Sequence, residues 1–457
     1  MPSSTTVNPA TGEDIATYTH HTDDELTQLI DAADNAFDKW RRESFETRAN
    51  AIRTLGQLLR DNVDELSALM SQEMGKVIGQ GPSEVELCAA ICDYTANNGA
   101  TMLADEDREL DGGRAIVTHQ PVGVIYGIQP WNFPIYQVIR YSIPQIMAGN
   151  TVLLKHAQNV WGMAERLQEL YEDAGLPKGV FTALKISHDQ SDEVIANPKV
   201  RGVTLTGSDG AGRHVAAVAG KHLKKTVMEL GSNDAYVVLS DADIERTVKT
   251  CVMGRIVNNG ETCVAAKRFI VVDDVYEAFR DAFVERMAAV ELADPTDPKA
   301  KLGPMARTEL RDTLHDQVTE SVDKGATLLL GGEVPDRPGA WYPATVLEDV
   351  APGQPAYDDE LFGPAAALIR VKDDAEAMRV ANDSRYGLGG GIFSADVDRA
   401  IELARTEFDT GMVNINGYNL AKPNLPFGGV KDSGYGREHG GFGIREFVNT
   451  KAVMVVE

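Results

Sequence analysis

"GVTLTGSDGAGRHVAAVAGKHLKKTVMELG" occupies residues 202–231. It opens with a short apolar, β-branched run, as a strand does. A glycine-rich turn, "TGSDGAG" (206–212), comes next. Residues 211–223 then carry small and apolar side chains in a helical rhythm, and "KTVMELG" (225–231) reads as a second strand. Strand, helix and strand in that order predict a parallel pair joined by a crossover helix.

The rhythm extends both ways. Upstream, "AIVTHQPVGVIYGI" (115–128), "TVLLK" (151–155) and "GVFTAL" (179–184) are strand-like, with the helix-like "VWGMAERLQELYEDAGL" (160–176) and "SDEVIANP" (191–198) among them. Downstream, "AYVVL" (235–239), "RFIVV" (268–272), "ATLLLGG" (326–332), "AAALIRV" (365–371) and "GGGIFS" (389–394) form a second alternation. Two α/β units follow, and parallel sheets of this kind bind nucleotides beyond the carboxyl ends of their strands. The first hundred residues look helical: "DDELTQLIDAADNAFDKW" (23–40) and residues 46–75 repeat apolar positions at three and four. The Pro/Gly-rich stretch 333–364 reads as long loops. "FVNTKAVMVVE" (447–457) reads as an isolated apolar strand that needs a partner, and so as an oligomer contact.

At 457 residues the chain is too long for one core. Its content of 43% hydrophobic and 25% charged residues suits a soluble globular protein. There is no apolar run of membrane-spanning length, the start lacks the pattern of a secretory signal, and four cysteines are too few for a disulfide scaffold. These features point to a reduced, cytoplasmic setting. The net charge of −25 repels nucleic acid and anionic membranes, so neither is expected as a partner. Lysine is scarce, 18 against 26 arginines. An acidic, lysine-poor surface suits a salt-rich cytoplasm and raises the expectation of a halophilic source.

Several residues could carry chemistry. Cys88, Cys92 and Cys251 sit in apolar helical runs, where a cysteine is ordinarily structural. Cys88 and Cys92 share a helix face, but two thiols alone make a poor metal site, and no metal is expected. Cys263 differs. It ends "NNGETC" (258–263), a Gly/Asn-rich turn whose backbone N–H groups can converge on an anion. It reads as a nucleophile or, more blandly, as a structural thiol. "PWNFP" (130–134) fixes Asn132 between prolines, as an oxyanion donor or an ordinary loop residue. Glu229 ends an apolar strand, as a general base or a hydrogen-bonded structural carboxylate. The 206–212 turn lets backbone approach a phosphate at a helix N-terminus, although it does not match GxGxxG.

In order along the chain, PWNFP, LLK, TGS, ELG, GxxC, E-x-FGP and PFGG resemble the aldehyde dehydrogenase superfamily over essentially the whole sequence. The fuller pattern is most similar to its succinate-semialdehyde dehydrogenase subgroup. The resemblance implies an α/β fold with a Rossmann-type NAD(P)-binding domain (1–104 and 122–230), an α/β catalytic domain (231–445) and a small β oligomerisation element (105–121 and 446–457). It implies a homodimer or homotetramer.

The resemblance also implies roles for individual residues. Cys263 attacks the aldehyde, Asn132 and the Cys263 N–H hold the alkoxide, and Glu229 activates water against the thioester. Lys155 and Gln158 hold the adenosine ribose, with Trp131 near the same end. Gly207, Ser208 and Gly212 form the pyrophosphate turn, and Glu360 and Phe362 hold the nicotinamide ribose and ring. Lys431 and PFGG are structural. Gln158 stands where NAD-preferring members commonly have Glu, so both NAD and NADP are expected, with NAD favoured. Ser232 replaces a family glycine. Phe133, Gln137 and Arg140 share a helix face that lines the substrate channel in the family, where Arg140 would clamp a carboxylate unless it is a surface salt-bridge residue. Val257 stands where some of these enzymes carry a second arginine, and Arg255 is offset from it. The implied reaction is oxidation of succinate semialdehyde. Another small aliphatic or ω-carboxy aldehyde, such as glutarate semialdehyde, and a non-catalytic binding protein on the same fold are the alternatives. Glu261 stands where the family often has Gln, and its side chain is expected to turn from Cys263 toward solvent or a backbone N–H, because a carboxylate facing the sulfur would slow attack.

Overall fold

The computed structural model describes residues 2–456; Met1 and Glu457, the outer bounds of the expected domains, lie outside the described residues. The stretch that opened the reading folds as expected. Val200–Thr206 is a strand, Asp209–Lys221 a helix, and Lys225–Glu229 a strand parallel to the first. A six-stranded sheet forms around it in the spatial order 434–435, 225–229, 200–206, 124–129, 151–156, 181–183. Chain order reverses between the 124–129 and 200–206 strands, which makes a switch-point crevice at their carboxyl ends. The edge pair Gly434–Tyr435 runs antiparallel to Lys225–Glu229. Residues expected in the catalytic domain therefore complete the cofactor sheet. Two residues of strand carry too little pattern to be read from sequence.

A seven-stranded sheet is ordered 327–330, 345–348, 365–371, 268–272, 235–238, 390–393, 414–415, parallel except at the 327–330 edge. Thr345–Glu348 was expected to be loop; its neighbouring prolines and glycines hide a buried strand. Each sheet carries apolar clusters on its faces. The helix Tyr136–Ala148 is buried at every position and ends at Gly149, which adopts a left-handed φ of 100°.

The first hundred residues hold the helices Asp23–Trp40, Phe45–Asp61, Val63–Met74 and Gly81–Met102, but also an unexpected antiparallel hairpin, Ser3–Val7 with Asp14–Thr19. The C-terminal strand Val448–Val456 is not isolated. It pairs along its length with Gly113–Pro121 of its own chain, which pairs in turn with Glu106–Leu110. Its outer edge stays open, with Met454 65% exposed. No helix among the described residues is long and apolar enough to cross a membrane.

Candidate active site

Cys263 lies just before the strand Arg268–Val272, at the end of a turn with unusual backbone. Asn258 (φ 54°), Asn259 (φ 58°) and Gly260 (φ 77°) are successive left-handed residues. For asparagine that conformation is strained and has to be held by its surroundings. The Asn258 side chain donates to the carbonyls of Asn132 (2.7 Å) and Glu261 (3.1 Å). The Asn259 side chain donates to Gly75 and Pro304 carbonyls, both at 2.8 Å, and accepts from Gly303 N–H. Arg255 donates to the Gly260 carbonyl at 2.6 Å, so it braces the turn and does not replace the missing second arginine. At Gly260 a Cβ would fall 2.4 Å from the Gly363 backbone, so only glycine fits.

Asn132 reaches the same turn. Its Nδ2 donates to the Glu261 carbonyl at 3.1 Å, and its Oδ1 accepts from Gln137 Nε2 at 3.3 Å. An amide nitrogen carries two N–H groups, so one remains for an oxyanion. The Glu261 carboxylate takes the expected backbone partner: Oε1 accepts from Ala306 N–H at 3.0 Å.

Glu229 ends its strand fully buried, and neither carboxylate oxygen has a hydrogen-bond partner. Burial pushes its pKa well above the ordinary range; Arg140 opposes this and Glu438 reinforces it. Cys263 is half-buried. Burial raises its thiol pKa to about 12, with Arg140 and Lys267 pulling it down and Glu360 and Asp234 pushing it up. Arg140 thus acts on both groups. The PFGG segment, expected to be structural, also joins them. Phe427 heads the apolar cluster that Cys263 packs against and lies under the Arg140 guanidinium at 4.5 Å. A Cβ at Gly428 would stand 2.7 Å from Glu229 Oε1, so glycine lets the carboxylate approach. Lys431 is structural, donating to the carbonyls of Asn382 and Ser384.

The expected substrate face is buried in the core. Phe133 is buried, with its ring 4.0 Å from the Lys76 ammonium. Gln137 orients Asn132. Arg140 is 1% exposed, ion-paired through Nε with Glu438 and donating from Nη2 to Thr206 Oγ1 at 2.9 Å, with Nη1 unpartnered. It is not a surface salt-bridge residue, and Nη1 is left open for a further partner. The whole helix is sunk in the core. A cavity of about 110 Å³ opens elsewhere beside Cys263, with Val264, Met412, Leu420 and Phe427 among its walls and Lys422 at its rim.

The cofactor residues fall at the switch-point crevice. Lys155 is buried, its pKa lowered by burial, and no carboxylate among the described residues pairs with it. Gln158 is exposed in the turn after that strand. Ser208 caps the Asp209–Lys221 helix, accepting from Ala211 N–H at 3.2 Å. A Cβ at Gly207 would meet only Leu205, at 3.8 Å, so the space before the helix is open. At Gly212 a Cβ would stand 2.5 Å from Leu230, so this glycine also serves packing. Trp131 is buried. Its ring packs edge-on against Phe362 at 5.8 Å, on the side expected for nicotinamide. Glu360 pairs with Lys267 at 3.0 Å. An unpaired buried cation, an open helix N-terminus and a carboxylate beyond them fit a dinucleotide.

Sequence reading missed Glu438, Lys267 and Asp234. Ser232, flagged as a departure, donates its hydroxyl to Asp234, which also accepts from Gly389 N–H at 3.0 Å. Burial raises Asp234 to about 6. Each of these residues is an ordinary charge until the fold brings its partner near, although Asp234 and Lys267 closely follow the ELG and GxxC motifs.

A profile of the aldehyde dehydrogenase family matches residues 2–453. The chain is 44% identical over 448 residues to a Deinococcus radiodurans protein named succinate-semialdehyde dehydrogenase (NADP(+)), covering 98% of this chain and 94% of that one. It is 42% identical to an Escherichia coli succinate semialdehyde dehydrogenase (NAD(P)+), over 98% and 96% of the two chains. A crystal structure of succinic semialdehyde dehydrogenase from Streptococcus pyogenes with NADP+ superposes with a TM-score of 0.97 at 38% identity, covering 99% and 100%. With a cysteine, an amide and a buried carboxylate gathered at the mouth of a nucleotide-type sheet, and with that match from end to end, the chain belongs to the aldehyde dehydrogenase family.

Proposed function

We propose that this enzyme oxidises succinate semialdehyde to succinate with NADP or NAD. The observation that carries the substrate is Arg140, a buried guanidinium beside Cys263 and Glu229 with Nη1 unpartnered. A short aldehyde with a carboxylate satisfies that nitrogen through a charge-assisted bond. The names of the relatives support the same substrate.

In this reading the Cys263 thiol gives up its proton to solvent and the thiolate sulfur adds to the aldehyde carbon, whose oxygen becomes an alkoxide. The alkoxide accepts from the Cys263 N–H and the free N–H of Asn132, each donor contributing about 3–4 kcal/mol. Hydride acceptance, which turns the thiohemiacetal carbon into a thioester carbonyl, is the chemistry a nicotinamide supplies when bound. Lys155, Gln158, Ser208 and the Gly207 backbone would hold its adenosine and pyrophosphate parts, and Glu360 and Phe362 the nicotinamide end. Glu229, once ionised, is a strong base because burial has raised its pKa. It takes a proton from water, the water oxygen attacks the thioester, and Cys263 is released with the carboxylate product.

Removing Arg140 alone would strand the buried Glu438, so the test is the double variant Arg140→Leu/Glu438→Gln. KM for succinate semialdehyde should rise about tenfold or more, the effect of losing one charge-assisted bond, while KM for propanal moves little. Equal shifts for both aldehydes would defeat the carboxylate reading. Glutarate semialdehyde in the same assay separates the longer acid.

The expectation of NAD first rested on Gln158 alone. That side chain is exposed and neutral, three residues after Lys155, so it does not itself repel a 2′-phosphate. The relatives named for NADP(+) weigh toward NADP, and we infer use of both. The open apolar edge of Val448–Val456 supports assembly into a homodimer or homotetramer. The low cysteine count and acidic surface suit a cytoplasmic enzyme from a salt-rich cell.

A further inference from the structure

We infer that Lys267 is a positioning residue that holds the oxyanion-donor peptide of Cys263 and ties it to Glu360. The inference rests on the family reading of Cys263 and Glu360 and adds a residue to it.

Lys267 stands four residues after Cys263 and is almost fully buried. Its own backbone is fixed from both sides: its N–H donates to the Asp234 carbonyl at 3.2 Å, and its carbonyl accepts from Ala367 N–H at 3.0 Å. The side chain folds back toward the nucleophile. Nζ donates to the Thr262 carbonyl at 3.1 Å and to the Cys263 carbonyl at 2.5 Å, and it pairs with Glu360 Oε1 at 3.0 Å. An ammonium has three N–H donors, and here three protein oxygens take them.

The Thr262 carbonyl matters most. It belongs to the same planar peptide group as the Cys263 N–H. A cation on the oxygen of that group fixes the direction of the N–H and polarises it toward a better donor. The Cys263 carbonyl is held by the same ammonium, so the peptides on both sides of the nucleophile share one anchor. Glu360 is the third ligand. The cofactor carboxylate and the oxyanion peptide therefore meet on a single buried charge. The ammonium is also one of the two cations that favour the Cys263 thiolate.

Two substitutions separate these parts. Lys267→Met removes donors and charge, and Lys267→Gln keeps an amide donor without the charge. Each is measured with succinate semialdehyde and with propanal, so a wrong substrate shows as poor turnover of the former by the unaltered enzyme, independently of Lys267. For Lys267→Met, kcat should fall about tenfold to hundredfold, as for a weakened oxyanion donor, while aldehyde KM changes less than about threefold. Iodoacetamide alkylation of the cofactor-free enzyme forms no oxyanion and reads the thiolate alone. At fixed pH it should slow about tenfold in both variants, one unit of thiol pKa. Lys267→Gln should recover part of kcat but none of the alkylation rate. If Lys267→Met does not fold, Lys267→Gln carries the comparison: kcat intermediate and alkylation slow. Variants that match the unaltered enzyme in alkylation rate, or that lose kcat and KM together with only the melting temperature changed, would overturn the inference.

Discussion

Glu261, two residues before the nucleophile, shows how one carboxyl is kept harmless. Oε1 accepts from Ala306 N–H, Oε2 is buried without a partner, and the side chain has no exposure. Burial raises its pKa well above the ordinary value, with the Ala306 bond and the Arg307 charge opposing. The sign of the consequence follows from linkage. Between the unfolded pKa, about 4.3, and the higher folded one, the folded protein binds the extra proton. Stability from this group is therefore complete below the unfolded pKa and is lost as pH rises. Glu261→Gln removes that loss, and an unpartnered buried oxygen costs about 1–3 kcal/mol. The variant should melt at a higher temperature relative to the unaltered protein at pH 8 than at pH 5. A difference that does not change with pH would mean that Glu261 is not the titrating group. The turning away of this side chain was legible from its neighbour's chemistry. The pairing of Arg140 with Glu438 was not, because 298 residues separate them (438 − 140) and each alone looks like surface.

At the scale of elements, the turn 258–260 carries the site. Sequence marked it as Gly/Asn-rich but could not say that three successive residues are left-handed, since that conformation is imposed by partners at Gly75, Asn132 and Pro304. The strands of both sheets were legible because each is a short apolar run between turn residues. The Tyr136–Ala148 helix was legible as a helix but not in its orientation. Its residues were read as one face toward a channel, and the depth of their burial was not legible. The turn makes a firm prediction. Asn259→Ala loses the side-chain bonds to Gly75, Pro304 and Gly303 and forces alanine into a region that costs about 1–2 kcal/mol. The loss in folding free energy should be about 3 kcal/mol or more, since buried groups are left unpaired. Asn259→Gly relieves the backbone but not the bonds, so it should fall between alanine and asparagine in denaturant melts. Glycine and alanine behaving alike would show that the φ value contributes nothing. In both variants the Cys263 alkylation rate should change, because the same turn delivers the thiol.

At the scale of the whole molecule, the charge of −25 is the feature the fold does not use. None of the site chemistry needs it. The cations that matter, Arg140, Lys155 and Lys267, are buried away from the surface. Surface carboxylates outnumber their possible partners, because 69 acidic residues face 44 basic ones. Isolated exposed pairs contribute little each, so local bridges do not cancel the excess. What remains is mutual repulsion across the surface, which opposes compactness and any assembly of like-charged copies. Salt is the lever on that term. The screening length is about 30 Å at 0.01 M, about 10 Å at 0.1 M and about 3 Å at 1 M. Between the first and last of these the repulsion shrinks from spanning a domain to less than a side chain's reach. The thermal midpoint should therefore climb steeply from 0.01 to 0.1 M NaCl and continue upward toward 1 M, by about 5 °C or more in all, equivalent to a kcal/mol or two for domains of this size. Activity should be lost on dialysis below roughly 0.1 M, where screening fails, and should return when salt is restored, because the buried site groups are untouched. The same titration done with a neutral osmolyte at equal osmolarity isolates the charge effect. A midpoint that is flat in salt, or that rises equally with the osmolyte, would remove the argument for a salt-adapted surface and leave the acidity as an ordinary solvated coat.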